Sequence, residues 1–123
     1  MTIKKRKLSN DIFGYPRYKY NISGDDGRYE MRLLVEHFCN NCQIVTIGGI
    51  EDLTCMMYSP KNLKEAFAYI YDSILETFNV PRILLDVNYS EPFIPDGFSV
   101  IKTLKYTSSY DGINRQIILI EKD

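Results

Sequence analysis

The chain has 123 residues, of which 45% are hydrophobic and 25% charged, a composition typical of one ordinary globular domain. No apolar run approaches the roughly 18 residues of a membrane-spanning helix, and no apolar signal-like segment follows the basic start of the chain. Because the three cysteines cannot form a closed set of disulfides, we expect free thiols and a cytoplasmic location.

Residues 1–14 are polar and basic without a periodic pattern, so we expect a flexible or docked arm on a single domain spanning 1–123. The first twenty residues carry six basic groups against one acid, a net +5, whereas the remainder carries nine against fifteen, a net −6. The six basic residues are Lys4, Lys5, Arg6, Lys7, Arg17 and Lys19. This uneven charge indicates contact with a polyanion or with an acidic surface, either that of a partner or the protein's own.

Alternating apolar side chains predict a strand over Tyr29–Cys39, and Cys42–Ile50 is expected to return beside it. Asn40 and Asn41 suit a two-residue hairpin turn, because asparagine adopts positive φ at low cost. The Gly48-Gly49 pair indicates a bulge or bend in the second strand.

The clearest element is an amphipathic helix over residues 60–78. Its apolar positions recur at helical spacing: Leu63, Ala66, Phe67, Ile70, Tyr71, Ile74, Leu75 and Phe78. Ser59 can cap the first turn and Pro60 suits the first helical position. Asn79 can end the helix, and Pro81 prevents its continuation. Such a stripe must cover a sheet face.

Three further strands are predicted at Arg82–Tyr89, Phe98–Thr107 and Arg115–Glu121, the last two joined through Asp111-Gly112. Ile83 to Leu85 suits a central position buried on both faces. Shorter strands are expected within 15–22 and 53–58. The predicted fold class is therefore α+β: a mostly antiparallel, twisted sheet of about five to seven strands with one main helix on a face.

The single histidine and all three cysteines fall within nineteen residues: His37, Cys39, Cys42 and Cys55. In the predicted hairpin Cys39 lies opposite Cys42 with His37 on the same face, and a Cys₃His set can hold zinc. However, a second C-x-x-C is missing, and apolar residues share that face. We favour packing, in which free cysteine acts as a small hydrophobic residue.

The basic N-terminal segment also contains Phe13, Tyr15, Tyr18 and Tyr20. Lysine and arginine neutralise phosphates, and aromatic rings stack on unpaired bases, so a nucleic-acid accessory protein is one interpretation. The other is a solvated tail followed by an edge strand whose tyrosines pack on the sheet.

From about Leu53 onward, the order strand, helix, strand and closing hairpin resembles the second half of a GNAT acyl-CoA N-acyltransferase domain. The tail is also similar to the acetyltransferase-like end of some phage homing endonucleases, through Gly97-Phe98, Tyr106, Tyr110, Asp111-Gly112 and Arg115. The GNAT resemblance implies acetyl-CoA as the acyl donor, with Tyr110 as general acid and Glu51 as general base.

The chain contains no G-x-x-x-x-G-K-[ST], G-x-G-x-x-G or G-x-S-x-G motif. Our first hypothesis is therefore a small non-catalytic interaction protein, in the style of a phage-encoded accessory protein, that binds a host or viral protein without a cofactor. The alternatives are a GNAT-like acyltransferase or its degenerate relative, and a nucleic-acid accessory protein that uses residues 4–20. We expect no membrane partner.

Overall fold

The computed structural model describes residues 1–25, 30–39, 41, 43–52, 63–87 and 94–123. These form one seven-stranded sheet with a helix on one face. The elements are β1 (Thr2–Lys7), β2 (Tyr18–Ser23), β3 (Glu30–Cys39), β4 (Ile44–Asp52), α1 (Leu63–Phe78), β5 (Arg82–Val87), β6 (Phe98–Thr107) and β7 (Asn114–Lys122). The strand order is β1-β2-β3-β4-β5-β7-β6.

The predicted α+β class is confirmed: among these strands, every pairing is antiparallel except that of β4 with β5. The closing hairpin of β6 and β7 also lies where the sequence predicts it. The strand expected within 53–58 and the first helical turn, with Ser59 and Pro60, lie outside the described residues.

The helix buries the predicted apolar stripe against alternate residues of the sheet. Ala66, Phe67, Ile70, Tyr71 and Ile74 are buried on the helix, and Leu75 and Phe78 pack at its margin. The buried sheet residues include Tyr20, Ile22, Leu33, Val35, Val45, Ile47, Ile83, Leu85, Ile118 and Ile120. The hydrophobic core is the single layer of side chains between the helix and this face of the sheet.

The helix ends at the residue that the sequence predicts. Asn79 adopts a φ of 52°, and the Val80 N–H donates to the Leu75 carbonyl over 3.3 Å. This is the bond of a Schellman cap, which closes a helix through a residue in the left-handed region. The chain then passes through Val80, whose side chain is buried, and enters β5.

Polar and aromatic contacts hold the helix to both halves of the sheet. On one side, the hydroxyls of Tyr20 and Ser73 lie 3.0 Å apart. Burial raises the pKa of Tyr20, an effect that this hydrogen bond opposes. On the other side, Tyr71 packs edge-on against Phe98 with ring centroids 5.6 Å apart. Burial also raises the pKa of Tyr71 well above its ordinary value.

The first residues of the chain belong to the sheet. Thr2–Lys7 forms the edge strand β1, which pairs with β2 along its whole length. Sequence periodicity missed this strand because nearly all its side chains are exposed, with only Ile3 packing against the core. Tyr18 and Tyr20 face the helix rather than solvent. Their strand β2 lies between β1 and β3, which corrects the expectation of a solvated tail followed by an edge strand.

The sheet face opposite the helix carries no helix among the described residues. Leu84 is therefore only half-buried, which corrects the expectation that β5 is buried on both faces. Leu34 and Leu119 are half-buried on the same face. No helix in the described part of the chain is long and apolar enough to cross a membrane.

Replacing Phe67 with alanine removes a buried ring from the core and is expected to lower the free energy of unfolding by about 3–5 kcal/mol. Tyr69→Ala is the matched control, because Tyr69 lies on the same helix but is 63% exposed. We expect that change to stay within about 0.5 kcal/mol. Urea unfolding followed by circular dichroism measures both, and equal losses would contradict the packing.

At the helix end, Asn79→Val is expected to destabilise the fold by about 1–2 kcal/mol, because a β-branched residue is strained at positive φ. Asn79→Gly is expected to be neutral or stabilising at the same position. A melting temperature for Asn79→Val equal to that of Asn79→Gly would rule out the strained cap.

Candidate functional site

A crevice opens between the two parallel strands. β4 and β5 pair only through Ile44–Ile47 and Arg82–Leu85. Beyond those residues β4 continues to Asp52 along β3, and β5 continues to Val87 along β7. Beyond Ile47 and Leu85, the two strands are therefore not paired with each other. In open α/β sheets, ligands bind at such a crevice beyond the carboxyl ends of parallel strands.

A bulge lies where the strands part. Leu34 pairs with Gly49 and Val35 pairs with Ile47, so Gly48 is an extra residue in β4. The bulge expected at Gly48-Gly49 is thus confirmed. An extra residue bends its strand and increases the local twist, and this directs the end of β4 away from β5.

Thr46 lies one residue before the crevice opens. Its neighbours Val45 and Ile47 are buried under the helix, which places Thr46 on the opposite face. The Thr46 Oγ1 atom is buried and has no hydrogen-bond partner among the described residues. A buried hydroxyl without a partner is costly, so it is a candidate to bind a polar ligand group. Nothing in the sequence singled out this residue.

The two residues proposed for acid–base chemistry lie at the crevice end of the sheet. Glu51 is on the extension of β4 beyond the bulge, where it pairs with Arg32 of β3. Tyr110 is in the turn between β6 and β7 and is 98% exposed. Because β7 runs antiparallel to β5, that turn is at the same end, but β5 and β7 separate it from β4. Their catalytic roles stay predictions.

The turn that carries Tyr110 is held by Asp111. One carboxylate oxygen accepts the Ile113 N–H over 3.0 Å, and the other accepts Arg115 Nη2 over 2.7 Å. The backbone hydrogen bond, together with the Arg115 guanidinium, keeps the pKa of Asp111 below its usual range. Gly112 supplies the positive φ of 70° that closes the turn.

The cysteine arrangement expected from the sequence is wrong in one respect. Cys39 pairs with Ile44 rather than with Cys42, and Gln43, just before Ile44, takes a positive φ of 55°. A register shift between His37 and Cys39 accompanies this change. Cys42 and Cys55, and the side chains of His37 and Cys39, lie outside the described part of the chain. Zinc binding therefore stays an alternative for that segment.

The six basic residues of the first twenty do not form one surface. Cross-strand register puts Lys4, Arg6 and Lys19 on the face away from the helix. Lys5 is on the helix side, where its ammonium donates to Thr77 Oγ1 and lies 4.5 Å from the centroid of the Tyr18 ring. Since Tyr18 also packs on Phe78, its ring is not available to stack on a nucleic-acid base.

Comparison with known proteins identifies the fold. No protein-family model and no curated sequence matches this chain. Among solved structures, spermidine/spermine N-acetyltransferase SpeG from Vibrio cholerae is similar with a TM-score of 0.59 at 10% identity, over 96% of this chain and 90% of that one. Nourseothricin acetyltransferase is similar with a TM-score of 0.54 at 15% identity, over 86% and 65%.

A chimera of SpeG from Vibrio cholerae and hSSAT gives a TM-score of 0.62 at 9% identity and covers 98% of this chain and 96% of that one. These neighbours are GNAT-family acetyltransferases, so the fold is GNAT-like, in agreement with the resemblance noted from the sequence. At such low identity the similarity shows the fold alone. It gives no support to the interaction-protein hypothesis or to a phage origin.

The contribution of Asp111 to the stability of the native state depends on pH. Because its folded pKa is lowered, the carboxylate stabilises the native state above about pH 3.9, and this contribution disappears as the pH falls through the folded pKa. Asp111→Asn is therefore expected to destabilise the fold at neutral pH and to approach wild type in acid. Urea unfolding at a series of pH values tests this, and a constant difference would contradict it.

Proposed function

We propose that this chain is a small GNAT-like acyltransferase that binds an acyl-CoA at the crevice between β4 and β5 and transfers the acyl group to an amine. The observation that carries the proposal is the short parallel pairing of β4 and β5, which ends at the Gly48 bulge. It occurs in a fold whose solved neighbours are N-acetyltransferases.

The free strand edges suit an acyl donor of this kind. Coenzyme A carries an extended arm with amide groups, and exposed backbone N–H and C=O groups bind extended amide chains by adding them as a strand. The β4 extension from Gly48 to Asp52 offers such an edge towards the crevice. The Thr46 hydroxyl, which has no hydrogen-bond partner within the described ranges, supplies one additional polar group close to the point where the crevice opens.

We propose an amine as the acceptor, and the support for this is that one structural neighbour is a spermidine/spermine N-acetyltransferase. A protonated amine must lose a proton before it can attack a thioester carbonyl, and the departing thiolate must gain one. The bound acyl-CoA supplies the activated acyl group. We assign proton removal from the acceptor to Glu51 and proton delivery to the leaving sulfur to Tyr110.

One feature of the sequence makes donor binding the decisive measurement. The segment Tyr58–Asn62, which precedes the helix, contains no glycine, and Pro60 has no backbone N–H to donate. A helix N-terminus binds phosphate through such donors. A degenerate relative would keep the fold without binding acyl-CoA, whereas an active enzyme must bind acyl-CoA.

Acetyl-CoA titrated into the protein is expected to release or absorb measurable heat in calorimetry and to raise the melting temperature. Thr46→Val removes the unpaired hydroxyl at nearly constant shape, so we expect weaker acetyl-CoA binding, by about three- to tenfold, with unliganded stability unchanged or slightly higher. Thr103→Val makes the same change at an exposed position of β6 and serves as the control. Absence of any heat or shift would reject the proposal.

The catalytic assignment is tested separately. Glu51→Gln and Tyr110→Phe each remove one proton-transfer group at almost constant shape, and each is expected to lower kcat by about 10²-fold while acetyl-CoA binding is retained. Acetylation of spermidine, followed by release of the CoA thiol, measures the rate. Full activity in either variant would remove that residue from the mechanism and leave the crevice assignment in place.

A further inference from the structure

The hairpin of β1 and β2 ends in a tip far from the crevice. The tip joins the end of β1 to the start of β2, at the edge of the sheet where β4 and β5 begin. Two large apolar residues occupy it, and both are open to solvent: Ile12 is 92% exposed and Phe13 is 77% exposed. Neither side chain belongs to the core, so packing does not account for them.

The tip has a defined shape. The Asp11 carboxylate accepts the Phe13 N–H over 2.8 Å and the Tyr15 N–H over 2.9 Å. The Asp11 N–H donates to the Tyr15 carbonyl, and Gly14 supplies a positive φ of 84°. These bonds close a tight turn of the Asx type. A hydrogen-bonded turn therefore holds Ile12 and Phe13 in exposed positions.

Cations surround the tip. Behind it, Arg17 donates to Ser9, and the first two rows of the β1–β2 ladder pair Lys7 with Tyr18 and Arg6 with Lys19. Arg6 and Lys19 are like charges placed directly opposite each other, an arrangement that destabilises a strand pair. Among the described residues, neither of these two takes part in an ion pair. The one acid of the hairpin, Asp11, is used by the backbone of the turn.

We propose that this tip is a membrane-contact site, which inserts Ile12 and Phe13 into the interface of an anionic lipid bilayer while the surrounding cations meet the lipid phosphates. Shallow insertion of about 5–10 Å is typical of apolar groups that bind at this interface. Each basic residue close to an anionic surface strengthens binding by about fivefold. The composition excludes only a spanning helix, so this contact revises our expectation of no membrane partner.

The chemistry of the tip favours lipid over the other candidates. A nucleic acid would use aromatic side chains, whereas Ile12 cannot stack and the Tyr18 ring is packed on Phe78. A protein partner needs about 800 Å² of surface on each side, and two side chains at a tip supply about half of that or less. A bilayer interface requires no matching shape and combines an apolar layer with negative charge.

The test uses the full chain and floating lipid vesicles at an ionic strength of about 0.15 M. We expect binding to vesicles of phosphatidylcholine and phosphatidylglycerol in equal parts, and little binding to phosphatidylcholine alone. Ile12→Ser combined with Phe13→Ser should weaken binding at least tenfold. Arg6→Gln combined with Lys19→Gln should weaken it by about 25-fold, less as salt is raised.

Two control variants make the same chemical changes on the opposite edge strand β6. Val100→Ser with Ile101→Ser removes a second exposed apolar pair, and Lys102→Gln with Lys105→Gln removes two exposed charges. Both should bind as wild type does, and circular dichroism should show all four variants folded. The proposal is overturned if wild type ignores anionic vesicles or if the tip variant binds normally. Binding to single-stranded DNA that depends on Arg6 and Lys19 but not on the tip would also overturn it.

Discussion

Burial of the apolar stripe of α1 on one face of the sheet is the constraint from which the other features follow. The helix connects β4 to β5, and a connection that crosses a sheet face returns the chain in the same direction. The two strands it joins are therefore parallel, in a sheet that is otherwise antiparallel among the described strands. Only at such a junction do two neighbouring strands leave the sheet by the same end. The crevice is thus a product of the crossover and of the bulge at Gly48.

Covering a single face has a cost for the rest of the sheet. On the helix side, Tyr20, Leu33 and Ile83 are fully buried, whereas Leu34 and Leu84 on the reverse side are only half-buried. The reverse side is therefore a mixture of aliphatic and basic residues, neither a second core nor a fully polar surface. Its polar members include Thr46 at the crevice and the paired cations of the β1–β2 hairpin.

Sequence patterns predict those elements of this fold in which the spacing of apolar residues and the residue that ends the element indicate the same structure. The stripe from Ala66 to Phe78 and the cap at Asn79 are of this kind, because helical spacing and left-handed φ are local properties. Strand β1 was missed, since nearly all its side chains are exposed and a single apolar residue, Ile3, leaves no alternation to read. The pairing partner of Cys39 was predicted wrongly, because the local sequence does not encode the register shift that pairs Cys39 with Ile44.

The candidate site divides in the same way. Gly48-Gly49 signals a bulge, because glycine in a strand has few other uses, but its place beside the parallel pair becomes evident only in the assembled sheet. Thr46 carries no signal at all, since threonine is ordinary in strands. Glu51 and Tyr110 come from a resemblance of element order, and the structure places them at one end of the sheet with two strands between their positions.

The brevity of the β4–β5 ladder also bears on how the molecule assembles. Hairpins such as β6–β7 close short loops and form from local contacts, whereas Ile44–Ile47 must meet Arg82–Leu85 across the whole of α1 and its connections. The entropy lost in closing that long loop is offset by only four pairs of residues, together with the helix that covers them. We expect this junction to form late, after the helix has docked. The crevice would then be the last part of the chain to acquire its shape, and its geometry would report that folding is complete.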